Sequence, residues 1–424
     1  MTVLTSSRNR RLPTPAVAWW TLGLLFGLNL LNYLDRYVMS AVLTPIQHDL
    51  RLGDGDAGWA ASAFMLGYFL TAPIFGYLGD RYPRKFLMLA GVMVWSAATA
   101  CSALAQNFSE LFCIRVFVGV GEAAFVTMGP SWISDLFSAT RRNTAITIFY
   151  VAIPVGSAIG FTIGGWFADR GDWRGAFLWA GLPGILFALS LLFLREPRRG
   201  EADGVEAEVG THGHVRWREV AGLLAKKRYA LLVWGYAAQT FAIGAFGIWG
   251  PAFLNRIHQL PLGHASTIFG EMLAGTGFVA TMLGGFIANR LRLRTAAGYP
   301  WLMALSMAAA VPICFFALTT ASATWSLVGL GASMFFLFLP TGPITSEMLE
   351  IVPVHLRASA VALSMFMTHL FGDLGSPAAV GYVSQAAHHN LQIGVLILPA
   401  MLVVGTVLWA CLVWATPATR EIEA

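Results

Sequence analysis

The sequence has little charge. Asp, Glu, Lys and Arg make up 12% of its 424 residues, whereas about a quarter of the residues of a soluble domain are charged. Hydrophobic residues make up 57% of the chain. This composition excludes an ordinary soluble domain and indicates a membrane protein.

Cysteine is scarce as well. The four residues lack the spacing of metal ligands and lie in or near apolar segments, so we expect buried thiols at Cys101, Cys113, Cys314 and Cys411. His212 and His214 flank a glycine, but two histidines without further ligands favour a solvated loop over a metal site. We therefore expect no metal and no cofactor.

Catalytic motifs are also lacking. The sequence shows no pairing of a nucleophile with a base, and Gly119-Val-Gly121 lies in an apolar run without the strand-to-helix unit of a phosphate loop. An enzyme is therefore not expected. A non-transporting membrane sensor stays open as an alternative, although the linker and tails are too short for a signalling domain.

Long apolar runs, by contrast, recur along the whole chain between short polar breaks. About 20 apolar residues cross a hydrocarbon core of roughly 30 Å as a helix. The first run is too long for a signal peptide. The sequence predicts an all-α membrane protein with twelve transmembrane helices, at residues 16–44, 57–79, 86–105, 110–134, 143–168, 173–194, 229–255, 264–289, 297–319, 322–346, 357–386 and 391–416.

Positive residues lie mostly on one side of these spans. With the N-terminus inside, 21 of the 27 Lys and Arg residues fall in cytoplasmic segments, and cytoplasmic loops carry such an excess. The pattern predicts that both termini are cytoplasmic. Because the net charge of +5 follows from the same bias, nucleic-acid binding is not expected. Short loops and tails favour a compact protein of a prokaryotic cytoplasmic membrane, and we expect a monomer.

The spans divide into two similar halves. We expect six-helix bundles at residues 1–194 and 229–424, joined by a flexible polar linker at 195–228. Gly76-Tyr-Leu-Gly-Asp-Arg81 matches Gly285-Phe-Ile-Ala-Asn-Arg290 at an offset of 209 residues. Asp135 and Arg142 match Glu350 and Arg357 at an offset of 215. Such internal repeats are typical of transporters.

Several motifs resemble those of a known superfamily. The stretch from Gly76 to Lys85 resembles the loop between helices 2 and 3 of the major facilitator superfamily, with Pro83 where that superfamily usually has Gly. Arg115-Val-Phe-Val-Gly-Val-Gly121 resembles its helix 4 motif. More narrowly, four segments resemble the Spinster family of lipid transporters: residues 32–37, 115–122, 247–254 and 369–377.

Ionisable side chains within the spans stand out against this apolar background. Each costs about 2.5–3.5 kcal/mol on insertion scales and is by default a candidate functional group. The candidates are Asp35, Arg36, Arg115, Glu122, Glu271, His369 and Asp373.

The acid and the base of the first span are adjacent. Neighbouring helical side chains diverge by about 100°, so Asp35 and Arg36 each need a partner from another helix. In the fourth span Arg115 and Glu122 share a face, about 10 Å apart along the axis. We predict that Asp35 pairs with Arg115 and that Arg36 pairs with Glu122, with Asn32 on the same stripe of the first helix.

Two roles are open for these charges. In one, Asp35 or Glu122 takes a proton when its arginine partner is drawn away, which couples transport to a proton gradient. In the other, the pairs are a permanent brace. Arg36 or Arg115 would hold an anionic headgroup, because a guanidinium offers a bidentate fork to phosphate. Asn32 and Glu122 would line the same substrate site.

His369 and Asp373 lie four residues apart in the eleventh span. They could sense protonation or touch the substrate, or the histidine could bond the aspartate only to fix a glycine-rich helix. Glu271, near the outer end of the eighth span, is better explained by water at a vestibule.

Glycines allow close helix contacts. We expect them in the fifth span at Gly156, Gly160, Gly164 and Gly165, and in the eleventh at Gly372, Gly375 and Gly381. Resemblance to the superfamily implies a cytoplasmic gate, closed in the outward-facing state, at Asp80, Arg81, Arg84, Lys85 and Arg142.

These observations, with the resemblance, predict a secondary active transporter that works by alternating access. We expect coupling to protons and, as substrate, a lysophospholipid or a similar anionic or zwitterionic amphiphile drawn from among membrane lipids. The alternatives on the same fold are an exporter of drugs or amphipathic organic anions and an importer of a carboxylate.

Overall fold

The computed structural model describes residues 15–199, 201–203, 217–353 and 356–417, which are mostly helical and contain no strand. Three short 3-10 turns lie at Leu191–Phe193, Glu201–Asp203 and Leu223–Ala225. The α-helices of the described part are α1 (Pro15–Ala41), α2 (Leu43–Leu50), α3 (Asp54–Arg81), α4 (Arg84–Ser102), α5 (Phe108–Leu136), α6 (Ala139–Ala168), α7 (Trp173–Ser190), α8 (Trp217–Gly222), α9 (Lys227–His258), α10 (Leu262–Arg294), α11 (Gly298–Thr319), α12 (Ala323–Phe338), α13 (Thr341–Ile351), α14 (Arg357–Thr368), α15 (Ser376–Ala386), α16 (Leu391–Val395) and α17 (Ile397–Ala415).

Eleven helical stretches of the described residues are long and apolar enough to cross a membrane, and they coincide with eleven of the predicted spans. The eleventh span, predicted at residues 357–386, is instead divided into α14, a π turn at His369–Asp373, and α15. Pro377 lacks an N–H, so the carbonyl of Asp373 loses its helical partner and the helix cannot continue regularly. The helix therefore breaks ahead of the proline.

Polar side chains fix where several helices begin. The Asn107 side chain accepts a hydrogen bond from the backbone N of Glu110 at 3.0 Å. The Glu110 carboxylate in return accepts from the backbone N of Gln106 at 2.9 Å. The Asn107 side chain thus satisfies one donor that the first turn of α5 leaves unpaired, and Glu110 holds the residue that precedes the cap.

Glycines bring α1 and α6 together. A Cβ on Gly156 or Gly160 would lie 2.5 Å from the carbonyl oxygen of Leu30 or Leu34. The predicted close contact along the fifth span is confirmed, and it explains why small residues recur there at one-turn spacing.

The helices pack in two groups, which we name the first half (α1–α7) and the second half (α9–α17). In the first half α1 packs on α6, and α5 packs on α3 and α4. In the second half α17 packs on α9 and α11, and α12 packs on α10 and α11. The halves meet mainly where α6 contacts α10 and where α3 contacts α15.

The repeat seen in the sequence is present in the contacts. The Nε of Arg142 donates to the carbonyl of Ser134 at 3.1 Å, and the Nε of Arg357 donates to the carbonyl of Leu349 at 2.9 Å. Both partners lie eight residues earlier in the chain. The offset of 215 residues therefore relates equivalent structural positions in the two halves.

The bundle has two ends, which we name after residues that begin helices there. The Arg84 end contains the loop between α3 and α4, and the Asp54 end contains the start of α3. At the Arg84 end, the start of the polar linker is not free: the Glu196 carboxylate accepts from the backbone N of Arg84 at 2.7 Å. A flexible linker stays a prediction, and 204–216 lie outside the described part.

Candidate functional site

Two ion pairs join α1 to α5. The Nη1 of Arg115 lies 3.4 Å from the Oδ1 of Asp35, and the Nη2 of Arg36 lies 2.7 Å from the Oε2 of Glu122. Both pairings are those predicted from the divergence of adjacent side chains on α1. The side chains of Asp35, Arg115 and Glu122 are 0% exposed, whereas that of Arg36 is 15% exposed. Of the four charges, Arg36 is the accessible one.

A threonine that the sequence analysis missed completes the partners of Asp35. The Oγ1 of Thr99, on α4, donates to the Oδ2 of Asp35 at 2.5 Å. Hydrogen bonds to charged groups contribute about 1.5–3 kcal/mol, so Thr99 helps to hold the carboxylate in place. The sequence held one indication of this contact, because Thr99 is the only threonine of α4.

Aromatic rings surround the accessible arginine. The guanidinium carbon of Arg36 lies 4.9 Å from the ring centre of Tyr33, 5.0 Å from that of Phe64 and 5.8 Å from that of Tyr68. Cations are attracted to such ring faces. The sequence analysis did not predict these rings, because Phe64 and Tyr68 belong to α3 and their approach to α1 depends on packing. Together they form an aromatic wall around a cationic centre.

Several buried polar atoms of the site have no hydrogen-bond partner among the described residues. They are both amide atoms of Asn32, the Nε and Nη2 of Arg115, and the Oε1 of Glu122. A buried polar group left unpaired costs about 1–3 kcal/mol. The site therefore has unpaired donors and acceptors beside both ion pairs, and these atoms are available to bind a ligand or a proton.

The second half contributes a histidine and an aspartate. The Nδ1 of His369 lies 3.0 Å from both carboxylate oxygens of Asp373, and their side chains are 34% and 14% exposed. Both belong to the π turn, a feature often found at functional sites. The ring of Phe69, on α3, lies 5.7 Å from the imidazole. This pair therefore lies at the contact between the halves.

Four of the five residues predicted for the gate contact residues of the first half or of the segment that follows α7. Arg84 lies 2.7 Å from Asp135, and the Nζ of Lys85 donates to the carbonyl of Leu194 at 2.8 Å. The guanidinium of Arg81 stacks on Tyr77 at 4.1 Å. The remaining members are Arg142, bonded to Ser134, and Asp80, which is exposed.

Three other predictions concern isolated residues. Glu271 is exposed, consistent with a position facing water or headgroups. No group of three metal ligands occurs among the described residues, and His212 and His214 lie outside them. The expectation of four buried thiols is wrong for Cys101 and Cys113, which are exposed on the outer faces of α4 and α5. A thiol is small and weakly polar, so an apolar environment outside the bundle suits it equally well.

The comparisons with known proteins agree with this architecture. A sequence model of the Major Facilitator Superfamily matches residues 25–377. The protein is therefore a multi-pass membrane transporter of this superfamily, and its relatives are transporters and not enzymes.

Individual relatives define the family more narrowly. Protein spinster homolog 3 of Danio rerio is 35% identical over 378 residues, which cover 85% of this chain and 75% of that protein. The sphingosine-1-phosphate transporter SPNS2 of Danio rerio is 35% identical over 404 residues, which cover 90% of this chain and 78% of that protein. Within the superfamily, the chain belongs to the Spinster family.

A solved structure shows the same fold. It is a bacterial homologue of the human lysosomal transporter Spinster in an inward-facing and unoccupied conformation. It matches with a TM-score of 0.86 at 23% identity, over 97% of this chain and 100% of that chain.

Proposed function

We propose that the protein moves a lysophospholipid or a similar anionic or zwitterionic amphiphile by alternating access, driven by protons. The observation that carries the proposal is the pairing of an accessible Arg36 with a fully buried Glu122. The name of the SPNS2 relative, a sphingosine-1-phosphate transporter, supports an amphiphile with a phosphate headgroup.

The geometry suggests how headgroup and proton are linked. A phosphate has the bidentate shape that a guanidinium binds, so it competes with Glu122 for Arg36. An unpaired carboxylate away from water favours its neutral form, and Glu122, once released, is in that situation. Binding of the anion thus promotes binding of a proton. Asp35 and Arg115 form a second ion pair between the same two helices, α1 and α5.

The second half would contact the rest of the substrate. His369 and Asp373 reach the boundary between the halves and would meet the headgroup from the side opposite Arg36, and Asn32 would add an amide. Phe366, which lies 6.2 Å from Phe69 of the first half, supplies apolar surface there. Polar groups beside apolar surface suit an amphiphile.

We also propose an orientation and a setting for the protein. The excess of Lys and Arg at the Arg84 end supports a cytoplasmic location of that end and of both termini. Residues 195–228 would link the two bundles, at 1–194 and 229–424, of a monomer in the cell membrane of a prokaryote. Arg84 and Lys85 bond residues of the first half and of the segment that follows α7, which supports a state open to the cytoplasm.

The test is transport by purified protein in liposomes, with lysophospholipid or a small organic acid as substrate at two imposed pH gradients. We expect lysophospholipid transport that depends on the gradient. Glu122→Gln should abolish this dependence, and Glu271→Gln, the same change at an exposed glutamate, should keep it.

Other outcomes would redirect the proposal. A Glu122→Gln variant with full pH dependence would remove Glu122 from proton coupling and favour the permanent brace. Transport of the organic acid without lysophospholipid would favour the carboxylate alternative.

A further inference from the structure

The last turns of α10 carry an arginine that stacks on an exposed aromatic ring. The guanidinium carbon of Arg290 lies 4.7 Å from the ring centre of Phe286, one turn earlier on the same helix. Stacking uses the face of a guanidinium and leaves the donors at its edge available. Among the described residues, Arg290 has no ion pair or hydrogen bond, and neither has the exposed Arg294 one turn further on.

These two charges continue a stripe of apolar side chains on the outer surface of α10. Residues at three- and four-residue spacing share one face of a helix, and those on this face are exposed: Val279, Met282, Phe286 and, beyond Arg290, Leu293. The side chain of Met282 is 65% exposed and that of Leu293 is 89% exposed. In a chain that spans a membrane, such a stripe faces lipid.

The length of α10 places the charges at the level of lipid headgroups. Arg290 lies about 42 Å along the axis from the first residue of this helix, at a rise of about 1.5 Å per residue. A bilayer with its headgroups is about 40–45 Å thick. A phospholipid whose acyl chain lies along the apolar part of the stripe therefore has its phosphate beside Arg290 and Arg294.

The first half has a related stack at the equivalent place. The guanidinium carbon of Arg81 lies 4.1 Å from the ring centre of Tyr77, and both residues precede Arg290 and Phe286 by the repeat offset of 209. The residue before the arginine differs, however. It is an exposed aspartate, Asp80, in the first half and an exposed asparagine in the second. A carboxylate at that position repels a phosphate and offsets the attraction of the arginine.

The second cation differs as well. Lys85 precedes Arg294 by the same offset, but its Nζ donates to the carbonyl of Leu194 at 2.8 Å. In the second half, Glu350 bonds Arg292 on another face of α10. The stripe of the second half therefore ends in two available cations without an acid, whereas that of the first half ends in one cation beside an acid.

We propose that Arg290 and Arg294 bind the headgroup of an anionic phospholipid of the surrounding bilayer, with its acyl chain along the stripe from Val279 to Phe286. The site lies on the outside of the bundle and includes no residue of the substrate site. It requires only that the chain spans a membrane, so it goes beyond the proposed function and does not depend on it.

The test is the binding of phosphatidylglycerol to the purified protein in a neutral detergent, with the lipid-bound forms counted by native mass spectrometry. Phosphatidylcholine, which is zwitterionic, and glycerol 1-phosphate, which lacks acyl chains, should both bind more weakly. Arg290→Gln and Arg294→Gln should each weaken the binding of phosphatidylglycerol about fivefold, as expected for one basic residue beside anionic headgroups. The double variant should weaken it about 25-fold.

Two further variants separate the site from a general effect of charge. Asn289→Asp places beside Arg290 the acid that the first half has at Asp80, and it should weaken binding about fivefold without removing a cation. Arg170→Gln is the matched control. Arg170 also stacks on an exposed ring, that of Trp166 at 3.6 Å, but it already donates to the Trp166 carbonyl at 2.8 Å. This variant should bind phosphatidylglycerol as the parent does.

The proposal is overturned if phosphatidylglycerol and phosphatidylcholine bind equally, or if the double variant binds phosphatidylglycerol as tightly as the parent. Thermal unfolding should give parent midpoints, because the replaced side chains are exposed. If an arginine variant loses its fold, Asn289→Asp decides the question. Because the measurement involves no transport, a failure of lysophospholipid transport in liposomes would refute the proposed function alone.

Discussion

The two halves of the protein share a scaffold but bury different groups. Arg142 and Arg357 bond equivalent carbonyls. Yet the first half seals Asp35, Arg115 and Glu122 completely, whereas the charged pair in the interior of the second half is partly exposed on a broken helix. The difference indicates a division of labour. The first half holds its ion pairs away from solvent, and the second half places its pair on an interrupted helix.

The sharpest way to test this contrast is to remove one arginine from each half. Arg115→Met leaves Asp35 buried without its cation, and such a loss costs about 3–5 kcal/mol. Arg292→Gln removes one partner of Glu350, whose side chain is 35% exposed, and should cost about 1 kcal/mol or less. Denaturant unfolding in detergent measures both.

Double substitution provides the control. Asp35→Asn with Arg115→Met removes both charges and should recover part of the lost stability. Equal losses of stability for Arg115→Met and Arg292→Gln would contradict this contrast. The buried charges of the first half would then contribute no more to stability than the exposed charges of the second half.

Adding a methyl group at one glycine of each half should change the free energy of unfolding by smaller but still unequal amounts. A Cβ on Gly119 of α5 would lie 1.7 Å from the carbonyl oxygen of Phe64, whereas one on Gly375 would meet nothing within 4 Å. Gly119→Ala should cost about 1–3 kcal/mol, as overpacking does. Gly375→Ala should be neutral or stabilise by up to about 1 kcal/mol, because it restricts the unfolded chain. A comparable loss at Gly375 would contradict an open space beside the π turn.

The smallest effect is expected at a charge outside the interior. Asp49 of α2 accepts hydrogen bonds from Arg174 and, at 3.0 Å, from Trp173. The bond from Arg174, more than that from Trp173, lowers the pKa of Asp49 below its ordinary value of 3.8. The ionised carboxylate therefore stabilises the fold above about pH 4. This contribution is lost as the pH falls through the lowered pKa.

Thermal unfolding of wild type and Asp49→Asn at two pH values measures this contribution. The wild type should be slightly more stable at pH 7, and the difference should vanish in acid and shrink in high salt, because the pair is exposed. A difference that persists in acid would contradict the role of the charge.

The sequence predicted those features that depend on local pattern. Apolar run length located the helices, and the adjacency of Asp35 and Arg36 required two partners, which Arg115 and Glu122 could supply at the right spacing. The sequence did not predict the contacts of Thr99 or those of Asp54. Asp54 and Ser384 lie 330 residues apart, and no local period relates them. The π turn was missed because Pro377 indicates an interruption of the helix but not the hydrogen-bond pattern that precedes it.

The bond between Glu196 and the start of α4 has a consequence for biosynthesis. Pro83, at the cap position of α4, has no side chain that can accept a hydrogen bond. The carboxylate of Glu196 accepts from the backbone N of Arg84 and of Lys85 instead. The third span therefore obtains the cap of its first turn from a residue that is synthesised only after the sixth span.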